Sequence, residues 1–173
     1  ANWGGTAFDP SSRFVFVATQ DVGALGSIEK ARPGSPFQYD KPTPGRAPFD
    51  VRMGDENWPC QKPPWGRLTA INTTTGDVAW QIPLGITEKL PEGKQSTGRP
   101  VLAGPIVTAG GVLFIASTDD NRFRALDARS GKQLWETKLA RRGSVGLAEG
   151  LEESGHLLGC HADAGVSDGE VEG

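Results

Sequence analysis

The chain has 173 residues, enough for one ordinary domain, with 36% hydrophobic and 8% aromatic residues and a formal net charge of −3. That charge excludes a strongly basic nucleic-acid-binding surface, and no apolar run approaches the roughly 18 residues of a membrane-spanning helix. Gly (24) and Pro (13) together exceed a fifth of the residues, which favours a turn-rich all-β architecture over a helical one. The charge is uneven: residues 1–140 carry 16 basic and 14 acidic side chains, residues 141–173 carry 2 and 7.

The N-terminal residues, Ala1-Asn2-Trp3-Gly4-Gly5, have neither an initiator Met nor a signal peptide, so the start reads as a cut through a longer chain. Gly4–Phe8 reads as a short strand, and Phe14–Thr19 as a nearly continuous apolar strand suited to cover on both faces. The stretch 20–64 then holds eight of the 13 prolines. It is too long and Pro-rich for a simple turn, and loops of that length usually serve function or cover something. Further strands are expected at Leu68–Ile71, up to Trp80, at Ala103–Val107, Val112–Ser117 and Phe123–Leu126, and up to Trp135. Thr118–Arg122 reads as a hairpin turn.

An internal repeat organises these strands. Leu68–Trp80 and Phe123–Trp135 align without a gap, so that Ala70/Ala125, Asn72/Asp127, Thr75/Ser130, Gly76/Gly131 and Trp80/Trp135 correspond at a spacing of 55. Asn72 or Asp127 can fold onto the following backbone to start a turn, and Gly76 or Gly131 can close it with positive φ. A Trp at a fixed place in each repeat can pack between neighbouring sheets and set their spacing. Stacked four-stranded sheets of this kind make a propeller. The expected organisation is a propeller region over 1–139, with one blade over 3–84 carrying an insertion at 20–64 and a second over 101–139. An atypical, disordered tail follows at 140–173.

Several residues invite chemistry, each beside a plainer reading. Asp119 and Asp120 could serve as an acid–base pair, but a turn role is favoured, with Asn121 playing the same part. Trp58 and Trp65 could line a substrate entrance or pin the insertion to the propeller. Gly110-Gly111 reads as a turn, since no helix follows to make a phosphate site. His156, Cys160 and His161 cluster in sequence, but no fourth ligand has fitting spacing. Cys60 and Cys160 allow one disulfide and establish no framework.

Four segments resemble the C-terminal part of pyrroloquinoline quinone (PQQ)-dependent dehydrogenases, nearest the membrane-bound glucose/quinate branch. They are Asn2-Trp3-Gly4-Gly5 with Asp9-Pro10; Pro59–Gly66; Trp80–Gly85; and Gly110–Ile115 with Asp119. The resemblance covers about residues 1–139. It implies an all-β fold, a partial β-propeller of about two four-stranded blades out of eight, with PQQ near the axis and a Ca²⁺ or Mg²⁺ ion beside it. It also implies oxidation of a sugar, polyol or alcohol, with electrons passed to a quinone or other respiratory acceptor. Asn2 matches an Asn that hydrogen-bonds the cofactor; Leu102 matches a cofactor-facing position; Trp3 follows from adjacency. Gly76, Trp80, Gly131 and Trp135 match the Trp-docking pattern. The catalytic base and metal ligands would lie in other blades, so catalytic and metal residues are expected to be absent here and the isolated chain inactive. The resemblance places the parent in the periplasm, attached to the inner membrane through a segment outside this chain. The partners it implies are the remaining blades, a small sugar or polyol, and a quinone, with no nucleic acid. From Ala140 the resemblance stops: residues 141–173 hold eight Gly and neither an aromatic residue nor Pro, a composition that suggests a changed reading frame. Two other readings stay open, a non-catalytic propeller scaffold for protein interaction and a non-functional truncated remnant.

Overall fold

The structure, a computed structural model, describes residues 4–41, 46–116 and 118–140. The tail from residue 141 and its His156, Cys160 and His161 lie outside the described residues. Every regular element among the described residues is a β-strand.

Strands β1 (Thr6–Asp9) and β2 (Phe14–Gln20) open the first sheet. Three two-stranded ribbons follow: β3 (Ala24–Gly26) with β6 (Arg46–Pro48), β4 (Glu29–Lys30) with β5 (Tyr39–Asp40), and β7 (Asp50–Met53) with β8 (Glu56–Pro59). β9 (Gly66–Asn72) and β10 (Val78–Pro83) then complete the first sheet, in the order β1-β2-β9-β10. β11 (Ile106–Val107), β12 (Val112–Ile115), β13 (Arg122–Asp127) and β14 (Gln133–Lys138) form the second, in chain order. Both sheets are antiparallel throughout. The result is the partial propeller expected: two four-stranded sheets, with all three ribbons between β2 and β9.

The turns follow from side chains that compete for backbone N–H groups. After β1, the Asp9 carboxylate accepts the Ser12 hydroxyl at 2.6 Å and the Ser11 N–H at 2.9 Å. These bonds, the Ser12 hydroxyl foremost, hold its carboxyl below the usual range. In the repeated hairpins, Asn72 Oδ1 accepts the Thr74 N–H at 2.9 Å. Asp127 Oδ1 likewise accepts the N–H groups of Arg129 and Ser130, at 3.1 and 2.8 Å. Gly76 and Gly131 close the turns, each donating its N–H at 2.8 Å to the carbonyl of Asn72 or Asp127. The repeat extends to an irregularity: the register skips Ala79 in β10 and Leu134 in β14, a bulge at the same repeat position. A bulge there re-aims the side chain that follows it, which is Trp80 or Trp135.

The core lies between the two sheets. Phe16, Leu68 and Leu84 from the first part of the chain meet Leu113, Ile115 and Leu126 from the second, each no more than 2% exposed. Burial of each such side chain stabilises the fold by about 1.5–3 kcal/mol. Trp80 bridges the sheets: its ring lies 5.9 Å from that of Phe16, and its Nε1–H donates to the Ala128 carbonyl at 3.1 Å. Gly131 lies under the indole, where an added Cβ would fall 2.8 Å from Cε3.

Two strands are shorter than the sequence suggests. The stretch Ala103–Val107 pairs only at Ile106–Val107. Pro105 has no N–H to donate, and the Gly104 backbone is pressed against Gly4 instead. The strand starting at Val112 stops at Ile115, and Thr118 makes an isolated bridge to Val101. Gly110-Gly111 forms a turn, with the Gly111 N–H donating to the Thr108 carbonyl at 3.0 Å.

Candidate functional site

The segments leading into the two sheets meet backbone to backbone. A Cβ on Gly4 would lie 2.0 Å from the Gly104 nitrogen, and one on Gly104 would lie 2.1 Å from the Gly4 oxygen. Only glycine at both positions permits that approach. Leu102, two residues ahead of Gly104, is 48% exposed, whereas its neighbour Val101 is buried. Asn2 and Trp3 immediately precede Gly4 in sequence and lie outside the described residues.

The turn before β13 carries Asp119 and Asp120. It is a hairpin turn: the Asn121 N–H donates to the Thr118 carbonyl at 3.2 Å, and Asn121 has φ of 57°. Its two carboxylates are nonetheless both paired. Arg99 grips Asp119 with Nε at 2.7 Å and a terminal nitrogen at 3.1 Å. Asp120 is buried against Arg124 and accepts the Thr118 hydroxyl at 2.5 Å and the Ile86 N–H at 2.9 Å. Burial pushes the Asp120 carboxyl up, but the Arg124, Thr118 and Ile86 contacts outweigh it and leave it below the ordinary aspartate value. Both carboxylates are thus engaged by guanidinium groups. Sequence spacing did not reveal Arg99 or Arg124 as partners, because Arg99 lies in an irregular connection. That connection returns to the first sheet through the Arg99 N–H, which donates to the Leu84 carbonyl at 2.7 Å.

Arg99 and Asp119 also border a cleft of about 250 Å³, with Phe49, Asp50, Asn57 and Pro59 from the ribbon region on its other side. Carboxylate, amide and guanidinium groups beside an aromatic ring can hydrogen-bond hydroxyls while covering an apolar ring face. The wall depends on the bidentate pair, so Asp119→Asn should lower the unfolding free energy by about 1–2 kcal/mol in urea titrations. An unchanged midpoint would mean that Arg99 is held by its backbone alone.

The two tryptophans of the ribbon region have distinct places. Trp65 is buried; its Nε1–H donates to the Gln61 carbonyl at 2.8 Å and its N–H to the Thr97 carbonyl at 2.8 Å. The second bond ties the segment to the connection after β10. Trp58 leans on it, with ring centroids 6.3 Å apart. Cys60 is an exposed free thiol, and Cys160 lies outside the described residues. Among the described residues no group of three or more His, Cys, Asp or Glu side chains could hold a metal ion, and no helix is long and apolar enough to cross a membrane.

Two antiparallel four-stranded sheets, joined by an indole seated on the neighbouring hairpin turn, make up part of a β-propeller. Residues 1–147 match the family described as PQQ: glucose/ethanol/alcohol dehydrogenase, beta-propeller domain, and the chain belongs to that family. It is 36% identical over 159 residues to the quinate/shikimate dehydrogenase (quinone) of Acinetobacter baylyi, a match covering 80% of this chain and 20% of that protein. It is 29% identical over 164 residues to the quinoprotein glucose dehydrogenase of Escherichia coli K12, covering 83% of this chain and 21% of that one. Among solved structures, a europium-containing methanol dehydrogenase superposes with a TM-score of 0.52 at 24% identity, over 80% of this chain and 20% of that chain, a likeness of fold. The chain thus spans about one fifth of the length of the curated relatives it matches.

Proposed function

We propose that this chain forms about two blades of a PQQ-dependent dehydrogenase that oxidises a sugar or polyol and passes the electrons to a quinone. The observation that carries the reading is the family match over residues 1–147, most of the chain. Relatives named for quinate/shikimate, glucose and glycerol oxidation support a hydroxylated substrate. The blade boundaries 3–84 and 101–139, with 20–64 as an insertion, are part of the same proposal.

PQQ, when bound, supplies the two-electron acceptor that no amino-acid side chain provides. This chain's contribution is one wall of its site. The half-exposed Leu102 side chain, beside the Gly4–Gly104 seam, fits an apolar ring edge. Asn2 would hydrogen-bond the cofactor, its amide offering both donor and acceptor, and Trp3 would flank it. A Ca²⁺ or Mg²⁺ ion and the catalytic base belong, in this reading, to the remaining blades. The parent protein would work in the periplasm at the inner membrane, next to its quinone acceptor.

Two measurements test the proposal. In the longer protein stripped of cofactor, Asn2→Ala and Leu102→Asp should each raise the PQQ dissociation constant about tenfold or more, the loss of roughly one buried contact. Binding unchanged in both would remove these residues from the site. The 173-residue chain mixed with PQQ and Ca²⁺ should show no dye-linked glucose oxidation, and measurable turnover would overturn the division of labour between blades.

A further inference from the structure

The register of the ribbon β7–β8 sorts its side chains by chemistry. Asp50 pairs with Pro59 and Arg52 with Asn57, while Val51 pairs with Trp58 and Met53 with Glu56. Side chains alternate across a strand and cross-strand partners share a face. Asp50, Arg52, Asn57 and Pro59 therefore lie on one face, and Val51, Met53, Glu56 and Trp58 on the other. The first face closes the cleft of about 250 Å³, through Asp50, Asn57 and Pro59, opposite Arg99 and Asp119. The second face sets Trp58 against the buried Trp65, ring centroids 6.3 Å apart. The ribbon is fixed at both ends. At its base the Cys60 N–H donates to the Phe49 carbonyl at 3.0 Å, and the Phe49 N–H to the Gly23 carbonyl at 3.3 Å. The Gln61 amide bridges the same floor, accepting the Gly23 N–H at 3.0 Å and donating to the Asp21 carbonyl. At its tip Lys89 holds Asp55 at 2.9 Å and Glu56 at 3.1 Å. Walls fixed beforehand lose less freedom when a ligand enters.

The charges of the cleft decide what it takes. Asp50, Arg99 and Asp119 are the charged residues in its lining. Arg99 is already engaged: Nε and one terminal nitrogen hold Asp119, and the other terminal nitrogen lies 3.4 Å from the Thr87 hydroxyl. Arg52 stays out of the lining, its Nε–H on the Gly54 carbonyl at 3.1 Å. The Asp50 carboxylate and the Asn57 amide have no hydrogen-bond or ion-pair partner among the described residues. The unengaged charge in the cleft is therefore negative. We propose that this cleft selects a neutral sugar or cyclic polyol and rejects the corresponding sugar acid. Asp50 accepts hydroxyl protons, Asn57 offers a donor and an acceptor, and the Phe49 ring covers an apolar ring face. Clefts for drug-sized ligands hold about 300–1,000 Å³, so this one is sized for a single ring. A carboxylate on the ligand meets Asp50 with like charge and finds no free guanidinium. The proposal rests on the dehydrogenase reading for the class of ligand and narrows it to the uncharged members.

The test is saturation-transfer NMR titration of the full chain at pH 7 with glucose and, separately, with glucuronate, which carries a carboxylate on the same ring. Glucuronate should bind about tenfold more weakly than glucose, the cost of one nearby like charge, and the gap should narrow as salt is raised. Asp50→Asn keeps an acceptor and removes the charge. It should weaken glucose about fivefold, through loss of a charge-assisted bond, while strengthening glucuronate, so that the two converge. A merely structural role for Asp50 would weaken both. Asn57→Ala should weaken both ligands alike. Asp77→Asn, an equal charge change in the turn at the far end of the first sheet, should move neither. An unchanged far-ultraviolet circular dichroism spectrum identifies folded variants. Equal or tighter binding of glucuronate by the unmodified chain overturns the proposal, as does a preference that survives Asp50→Asn. Absence of glucose binding up to about 100 mM overturns it too. Binding is read without PQQ, so such a failure leaves the dehydrogenase reading standing. Failure of that reading, seen as absent PQQ binding in the longer protein, leaves the sugar measurement intact.

Discussion

Gly131→Ala should lower the unfolding free energy by about 3 kcal/mol, while Gly76→Ala, at the same place in the repeat, should lower it by only about 1 kcal/mol, both read by urea titration. The two glycines have similar backbone conformations, with φ of 71° and 81°. An L-residue at positive φ costs roughly 1–2 kcal/mol at either site. The difference lies in what each faces. A Cβ on Gly131 would meet three ring atoms of Trp80 at 2.8–3.1 Å, whereas one on Gly76 would meet nothing within 4 Å. The indole must therefore shift, loosening its bond to the Ala128 carbonyl and its packing on Phe16. Trp80→Ala combined with Gly131→Ala should then cost less than the sum of the two single changes, because the clash disappears with the ring. Equal losses at positions 76 and 131 would sink this account and reduce Gly131 to a turn residue.

The same comparison shows why the fold was readable from sequence. The 55-residue spacing exposed the paired hairpins because turn chemistry is local: Asn72 and Asp127 bond to backbone two or three residues on. The apolar runs were equally local, but they read as covered on both faces, whereas burial alternates along them, with Phe16, Ala18, Leu113 and Ile115 buried and their neighbours only partly so. What escaped notice is non-local. Nothing in the spacing of Arg99 and Asp119, or of Asp120 and Ile86, announces a contact, since each depends on how the connection after β10 returns to the second sheet. The ribbons between β2 and β9 were legible only as a long Pro-rich stretch, because strands of two to four residues are too short to set a hydrophobic period. For the site, the family segments pointed to Asn2 and Leu102. The glycine contact beside Leu102 was invisible, because close backbone approach leaves no pattern beyond a glycine at each position.

Asp120→Ala should cost about 3–5 kcal/mol of unfolding free energy, and Arg124→Leu a similar amount, because each removes the closest opposite charge from a buried partner. The side chains of Arg124 and Asp120 are only 4% and 3% exposed. The pair also ties three elements together: Arg124 lies on β13 and reaches Glu136 on β14, while Asp120 receives the N–H of Ile86 just past β10. Replacing both charges with apolar residues of similar volume should recover much of the loss, since a buried pair need not stabilise relative to hydrophobic packing. Acid unfolding gives a separate check. The folded-state pKa of Asp120 lies below the ordinary aspartate value of 3.8. In the unfolded chain the carboxyl therefore takes up its proton first. The stability it contributes is fully present above that value and is lost as pH falls through the lower folded-state pKa. Asp120→Asn removes this proton uptake, so its stability should decline less steeply below about pH 4 than that of the unmodified chain. If the acid limbs instead run parallel, Asp120 titrates alike in both states, and the paired charges do not hold the turn against the first sheet.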